Sequence, residues 1–144
     1  MKNKSSLYES DYNLWQEKEI AALRNRDIDR LDWEHLIIEI AEVGKSQKRA
    51  LKNYTQRLIE HLLKLKFWDS ERERNCDHWS IEISNFRDNV IDILEDSPSL
   101  NSYLKENYDD WYDKSIQRVS RAFSVPNNKK IALSELLSED YFGD

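Results

Sequence analysis

Apolar residues recur at spacings of three and four along most of this chain, the period that lays one face of an α-helix against a core. The pattern predicts five helices and a short sixth segment. The first covers about 11–25. Ser10 or Asp11 can cap it, and Tyr12, Trp15, Ala22 and Leu23 share one face. Leu7 and Tyr8 are expected to pack back onto the body. The second starts at Asp32, a good cap, and carries the stripe Trp33, Leu36, Ile37, Ile40 and Val43, with Glu34, Glu39 and Glu42 off it. The third covers about 46–66, where Leu51, Tyr54, Leu58, His61 and Leu65 have bundle-seam spacing. A polar loop is expected over 69–77. The fourth helix follows over 77–95, with Trp79, Ile83, Phe86, Val90 and Ile93 inward. Ser97-Pro98 ends it and starts a fifth, which runs to about 123. Leu100, Leu104, Tyr108, Trp111, Val119 and Ala122 face inward there, joined by Tyr112, Ile116 and Phe123. Pro126-Asn127-Asn128 breaks the pattern. A short helix over 133–142 then docks Leu136, Leu137, Tyr141 and Phe142.

The junction at Gly44 allows two readings. Lys45, Lys48 and Arg49 at the N-terminus of a separate helix would oppose its macrodipole. In a continuous helix they would sit mid-helix, and an interior Gly costs only about 1 kcal/mol. A helix over 32–66 would nevertheless be about 52 Å long, against a radius of gyration of about 14–15 Å for a compact domain of this size. A break or sharp kink near Gly44 is the favoured expectation. The fold class is an all-α, single-domain helical bundle over 7–142, with residues 1–6 a flexible N-terminus.

Composition narrows the function classes. Of 144 residues, 39% are apolar and 11% aromatic, enough for a core despite 35% charged residues. Two glycines and two prolines cannot supply the turns of a β-sandwich or the Gly-rich cradle of a dinucleotide or P-loop site. Cys76 is the only cysteine, so no intrachain disulfide and no Cys-based zinc ribbon can form. A lone thiol suits a reducing cytoplasm. Residues 1–6 lack the apolar stretch of a signal peptide, and no run of about 18 apolar residues offers a membrane span. The net charge of −6 is uneven: residues 1–72 hold 14 basic and 13 acidic side chains, residues 73–144 hold 8 and 15. Nucleic-acid contact would therefore have to be local.

Several stretches carry a resemblance. LYESDYNLW (7–15), LDWEHLIIEIAEVGKSQKRAL (31–51), RLIEHLLKLKFW (57–68), SPSLNSYL (97–104) and LSELLSEDYF (133–142) occur in an order that resembles domain-of-unknown-function family 29, small proteins common in cyanobacteria and some proteobacteria. The acidic-apolar helix, then Gly-Lys-Ser, then a basic helix with Glu-His-Leu-Leu-Lys, is its most specific part. RERNCDHW (72–79) departs from the family's Arg-Ser-x-Ser-Trp form. The resemblance implies a helical, cytoplasmic bacterial protein and no activity or catalytic residue.

Candidate chemistry is sparse. GKS at 44–46 echoes a P-loop end, but Glu39 stands where the upstream Gly is required, so a helix junction explains it. His35, Glu39 and Glu42 lie on one side of the second helix, and His61 lies in the third seam. A carboxylate–histidine metal site uses such residues. No Glu-x-x-His pair exists, and Asp32-x-x-His35 is the nearest. Cys76 and His78 could add only one soft pair, and His61 is better read as a seam histidine hydrogen-bonded to a neighbouring Tyr or carboxylate. Trp68 and Tyr103 suit a dimer face or the core. The basic third helix is the leading functional surface: residues 45–66 hold seven basic side chains and one acid, Glu60. Lys45, Lys48, Arg49 and Lys52 cluster within two turns, with Lys64 and Lys66 beyond. They could meet an acidic partner, or answer the acidic residues 88–113 of the same chain. The expected role is a non-enzymatic interaction module that binds an acidic protein through Lys45, Lys48, Arg49 and Lys52, without cofactor, membrane or nucleic acid. The alternatives are a metal-assisted or acid–base enzyme using His35, Glu39 and His61, and a DNA-associated regulator.

Overall fold

The computed structural model describes residues 7–144, so the flexible N-terminus expected over 1–6 lies outside the described residues. The fold is all-α, and no strand occurs among the described residues. The helices are α1 (Tyr12–Arg24), α2 (Trp33–Phe67), α3 (Asp69–Asp96), α4 (Leu100–Val119) and the single turn α5 (Leu133–Leu136), with a 3-10 turn over Ile28–Arg30. Residue contacts divide the chain into two compact units, Met1–Ser46 and Gln47–Asp144. No helix among the described residues is long and apolar enough to cross a membrane.

In the first unit, a helical turn over 7–10 precedes α1. Asp11 caps α1 through its side chain, which accepts the Leu14 N–H at 3.0 Å. The exit from α1 turns at Arg26, whose φ of 55° is left-handed. That conformation is uncommon for a residue with a Cβ. The Arg26 guanidinium donates to the Arg24 carbonyl at 3.0 Å. Asp32 then opens α2, its carbonyl accepting the Leu36 N–H at 3.0 Å.

Four expectations about the helices need correction. The break near Gly44 does not exist, because α2 is one helix of 35 residues. The small interior cost of Gly is accepted, and Lys45, Lys48 and Arg49 escape an N-terminal dipole by lying mid-helix. The length objection assumed one compact body, whereas the contacts form two. The loop expected over 69–77 is helical from Asp69. Its charges serve a helix start: Asp69 and Glu71 lie in the first turn, where they suit the dipole. Glu71 pairs with Arg74 at 2.8 Å, and Asp69 pairs with Arg72. Arg72 also donates to the carbonyls of Leu65 and Lys66, at 2.6 and 2.7 Å, satisfying the end of α2. Finally, α4 stops at Val119 and leaves Ala122 exposed, and the tail helix shortens to one turn.

The second unit holds the core. Leu51, Leu58, Ile83, Val90, Leu104 and Trp111 are buried together, as their spacing predicts. Trp68 is half-buried and stacks on Trp79 and Phe123, at ring separations of 5.9 and 5.1 Å. The segment after α4 is strapped down from two sides. Tyr108 Oη donates to the Ile131 carbonyl at 2.8 Å, and Tyr112 Oη accepts the Ile131 N–H at 3.0 Å. Burial raises the pKa of both phenols, so they stay neutral. Arg87, only 1% exposed, reaches from α3 to the carbonyls of Leu136, Glu139 and Tyr141 at 2.8, 3.2 and 2.6 Å.

Candidate functional site

The first unit combines a polar–aromatic knot with an uncovered apolar face. The knot centres on Asp32, which is buried. Its carboxylate accepts Trp15 Nε1 at 2.9 Å, and His35 Nδ1 lies 2.7 Å away. Burial alone would raise the pKa of Asp32. Hydrogen bonds from His35 and Trp15, and from the His35 backbone N–H, outweigh it and hold the carboxyl below its usual value. An ionised carboxylate only accepts, so His35 Nδ1 carries the proton in this bond. The Asp32 N–H in turn donates to Glu19 Oε1 at 2.6 Å, which gives the buried Glu19 a structural partner.

Tyr8 stacks on the His35 ring at 3.9 Å and donates to Glu39 at 2.5 Å, while Tyr12 donates to the other Glu39 oxygen. The two phenols hold the Glu39 carboxyl below its usual pKa. The same Glu39 bond, with some burial, pushes the Tyr8 phenol up to about 12. These bonds join the residues before and within α1 to the first turns of α2. An Asp–His pair of this kind is used in acid–base and zinc chemistry. Here the Asp is already occupied by three donors and the imidazole is covered by Tyr8. Among the described residues, no group of three or more His, Cys, Asp or Glu is placed to hold a metal ion.

Outside the knot most of the large apolar side chains are exposed, although Ala22 and Leu31 are buried. The second-helix stripe expected to be buried is exposed: Trp33 is 54% accessible, Ile37 64%, Ile40 73% and Val43 64%. On α1, Tyr12 and Leu23 are exposed too, whereas Trp15 and Ala22 are buried as expected. Ten of the eleven exposed large apolar side chains among the described residues lie between Tyr12 and Val43, and Ile81 is the other. An open groove of about 270 Å³ runs between α1 and α2, lined by Tyr12, Ile20, Leu23, Leu36, Ile40 and Val43.

The other sequence candidates fall elsewhere. His35 and Glu39 share contact with Tyr8, and Glu42 is exposed. His61 belongs to the second unit, where its Nδ1 lies 2.9 Å from the Arg57 carbonyl and its ring meets Phe86 edge-on. Burial lowers its pKa. Cys76 is a half-buried free thiol, and His78 is exposed. Of the basic cluster, Lys45 is exposed and Lys52 half-buried, while Lys48 sits 5.0 Å above the Tyr103 ring. Lys66 donates to Tyr141 Oη at 3.1 Å. Sequence reasoning did not single out Arg87 or the Tyr8–Glu39–Tyr12 bridge. The signal for Arg87 is a cation at i+4 from Ile83 and i−3 from Val90, a core position.

A family model described as "Domain of unknown function DUF29" matches residues 7–142. The chain belongs to the DUF29 family. The match covers both units and nearly all the described residues, and it brings no assigned activity to this DUF29 chain. No curated protein and no solved structure matches it.

Proposed function

We propose that this DUF29 chain is a non-enzymatic protein-interaction module. Its docking face is the apolar surface between Tyr12 and Val43, and its partner presents an amphipathic helix. The observation that carries this reading is the concentration of ten exposed large apolar side chains in that stretch. Soluble chains rarely leave such patches without an interaction role, and a groove between two helices accepts the apolar stripe of a third. The knot at Asp32, His35 and Glu39 supports the role by fixing the two helices that form the groove. The lone thiol of Cys76 supports a reducing, cytoplasmic setting.

A second reading keeps an acidic protein as partner of Lys45, Lys48, Arg49 and Lys52. The seven-to-one excess of basic residues over 45–66 in a chain of net charge −6 favours it. Affinity capture with the full chain separates the two. The apolar reading expects bound polypeptide to be lost from Ile37→Glu/Ile40→Glu and kept by Lys48→Glu/Lys52→Glu. The reverse pattern transfers the role to the basic residues. Capture indifferent to both pairs removes both readings.

A further inference from the structure

We infer that the occupant of the apolar face is a second copy of this chain, with α2 paired antiparallel to α2 of the partner copy through Trp33, Ile37 and Ile40. The inference rests on the interaction-module reading and narrows it to one partner.

Four observations carry it. First, the described part of the first unit is two helices and a turn, residues 7–46. Two helices cannot enclose a core, and chains below about 40 residues usually need disulfides, metals or association. This unit has no cysteine. Two such hairpins together make a four-helix bundle, a standard solution. Second, Trp33, Ile37, Ile40 and Gly44 follow one another at 4-3-4, the spacing of a helix–helix seam. Val43 extends the apolar surface toward α1. Third, the exposed parts of Trp33, Ile37, Ile40 and Val43, with Ile20 and Leu23 of α1, amount to roughly 700 Å² per copy, against the ~800 Å² per partner of a standard interface.

The fourth observation sets the orientation. Glu34 and Lys45 are both exposed. They lie 11 residues apart, which is three turns of helix, so they share one flank of the seam. In a two-fold pair the same surface meets itself. Antiparallel helices bring like flanks together, and the register that sets Ile37 against the partner's Ile40 and Trp33 against the partner's Gly44 leaves each Glu34 within about half a turn of the partner's Lys45. A parallel pair would bring unlike flanks together and leave Glu34 and Lys45 of one copy on the opposite side of the seam from those of the other, without this pairing.

Sedimentation equilibrium of the purified full chain tests the inference. The expected mass is twice 17.3 kDa at micromolar concentration. Ile37→Glu/Ile40→Glu should sediment at the single-chain mass with its helical circular dichroism unchanged. Glu34→Lys touches only an exposed charge. It should weaken the dimer about 10-fold, since two symmetry-related pairs change from attractive to repulsive. Glu34→Lys/Lys45→Glu should bring the affinity back. A wild-type chain that stays at 17.3 kDa up to about 100 µM removes the second copy. It leaves the docking face standing if capture of another polypeptide still depends on Ile37 and Ile40. A dimer unmoved by Ile37→Glu/Ile40→Glu also overturns the inference, and a failed restoration overturns the antiparallel register.

Discussion

Two stretches of one helix carry the same apolar spacing and meet opposite fates. In α2, Leu51, Leu58 and Leu62 are fully buried, whereas Trp33, Ile37 and Ile40 are more than half accessible. Both stretches are amphipathic, so periodicity alone does not separate them. The difference lies in what each unit can fold over its stripe. The second unit supplies α3, α4 and the strapped segment 131–142, which together wrap the α2 seam. The first supplies only α1 and a turn. Its fixed contacts are made by Trp15, Asp32, His35, Glu39 and the two tyrosines, on a different side of α2 from Trp33 and Ile37. A helical pattern thus specifies an apolar face, and the number of available neighbours decides whether the chain covers it.

The largest expected effect contrasts these stripes directly. Leu58→Ala opens a cavity in the core and should cost about 2–5 kcal/mol in urea unfolding. Ile37→Ala, measured at concentrations where the chain is a single copy, should change stability by no more than about 0.5 kcal/mol. Equal costs would mean that the first stripe is covered after all. A somewhat smaller effect is expected from Arg87→Met. It leaves the carbonyls of Leu136, Glu139 and Tyr141 without their donor, and should cost roughly 2–3 kcal/mol. The tail over 131–144 should become the first site of protease cutting, while cutting within α1 stays at the wild-type rate. An unchanged tail would show that Tyr108 and Tyr112 suffice to hold it.

The helices and the core of the second unit were legible because seam residues such as Leu58, Ile83 and Trp111 combine regular spacing with a neighbour to face. One polar signal misled. The charges over 69–77 resemble a loop, yet Arg72 spends its guanidinium on the end of α2 and Asp69 sits at a helix start. At Gly44 the charges of Lys45, Lys48 and Arg49 pointed the right way, toward a continuous helix, and it was the length argument that misled. The knot was partly visible: Asp32 carries a cap signal, and Asp32-x-x-His35 stands out only as the nearest approach to a metal-binding pair, not as the hydrogen bond it makes. Tyr8 and Tyr12 come from before and within α1, and no local pattern shows that they converge on Glu39. Family membership was legible from motif order, and it carries no chemistry to test against the site.

The smallest effects concern pH, and they should separate the two units. Asp32 has a folded-state pKa below its unfolded value of about 3.9. Its hydrogen bonds therefore stabilise the first unit above that value, and this contribution is lost as pH falls through the lower folded value. His61 has the opposite charge type. Burial favours its neutral ring and holds its pKa below the unfolded value of about 6.5, although the Arg57 carbonyl and the charges of Glu82 and Glu60 pull the other way. Above about 6.5 both states are neutral at this site and no pH dependence arises. As pH drops below that, the unfolded chain binds a proton that the folded one refuses, so the second unit weakens first. Thermal unfolding of the full chain between pH 7.5 and 3 should show both phases. His61→Gln should flatten the slope just below pH 6.5 and leave the acid phase. Asp32→Asn should do the reverse. If His61→Gln leaves the wild-type slope near pH 6 intact, burial of this imidazole is not what makes the second unit acid-sensitive, and the separation of the two units by pH fails.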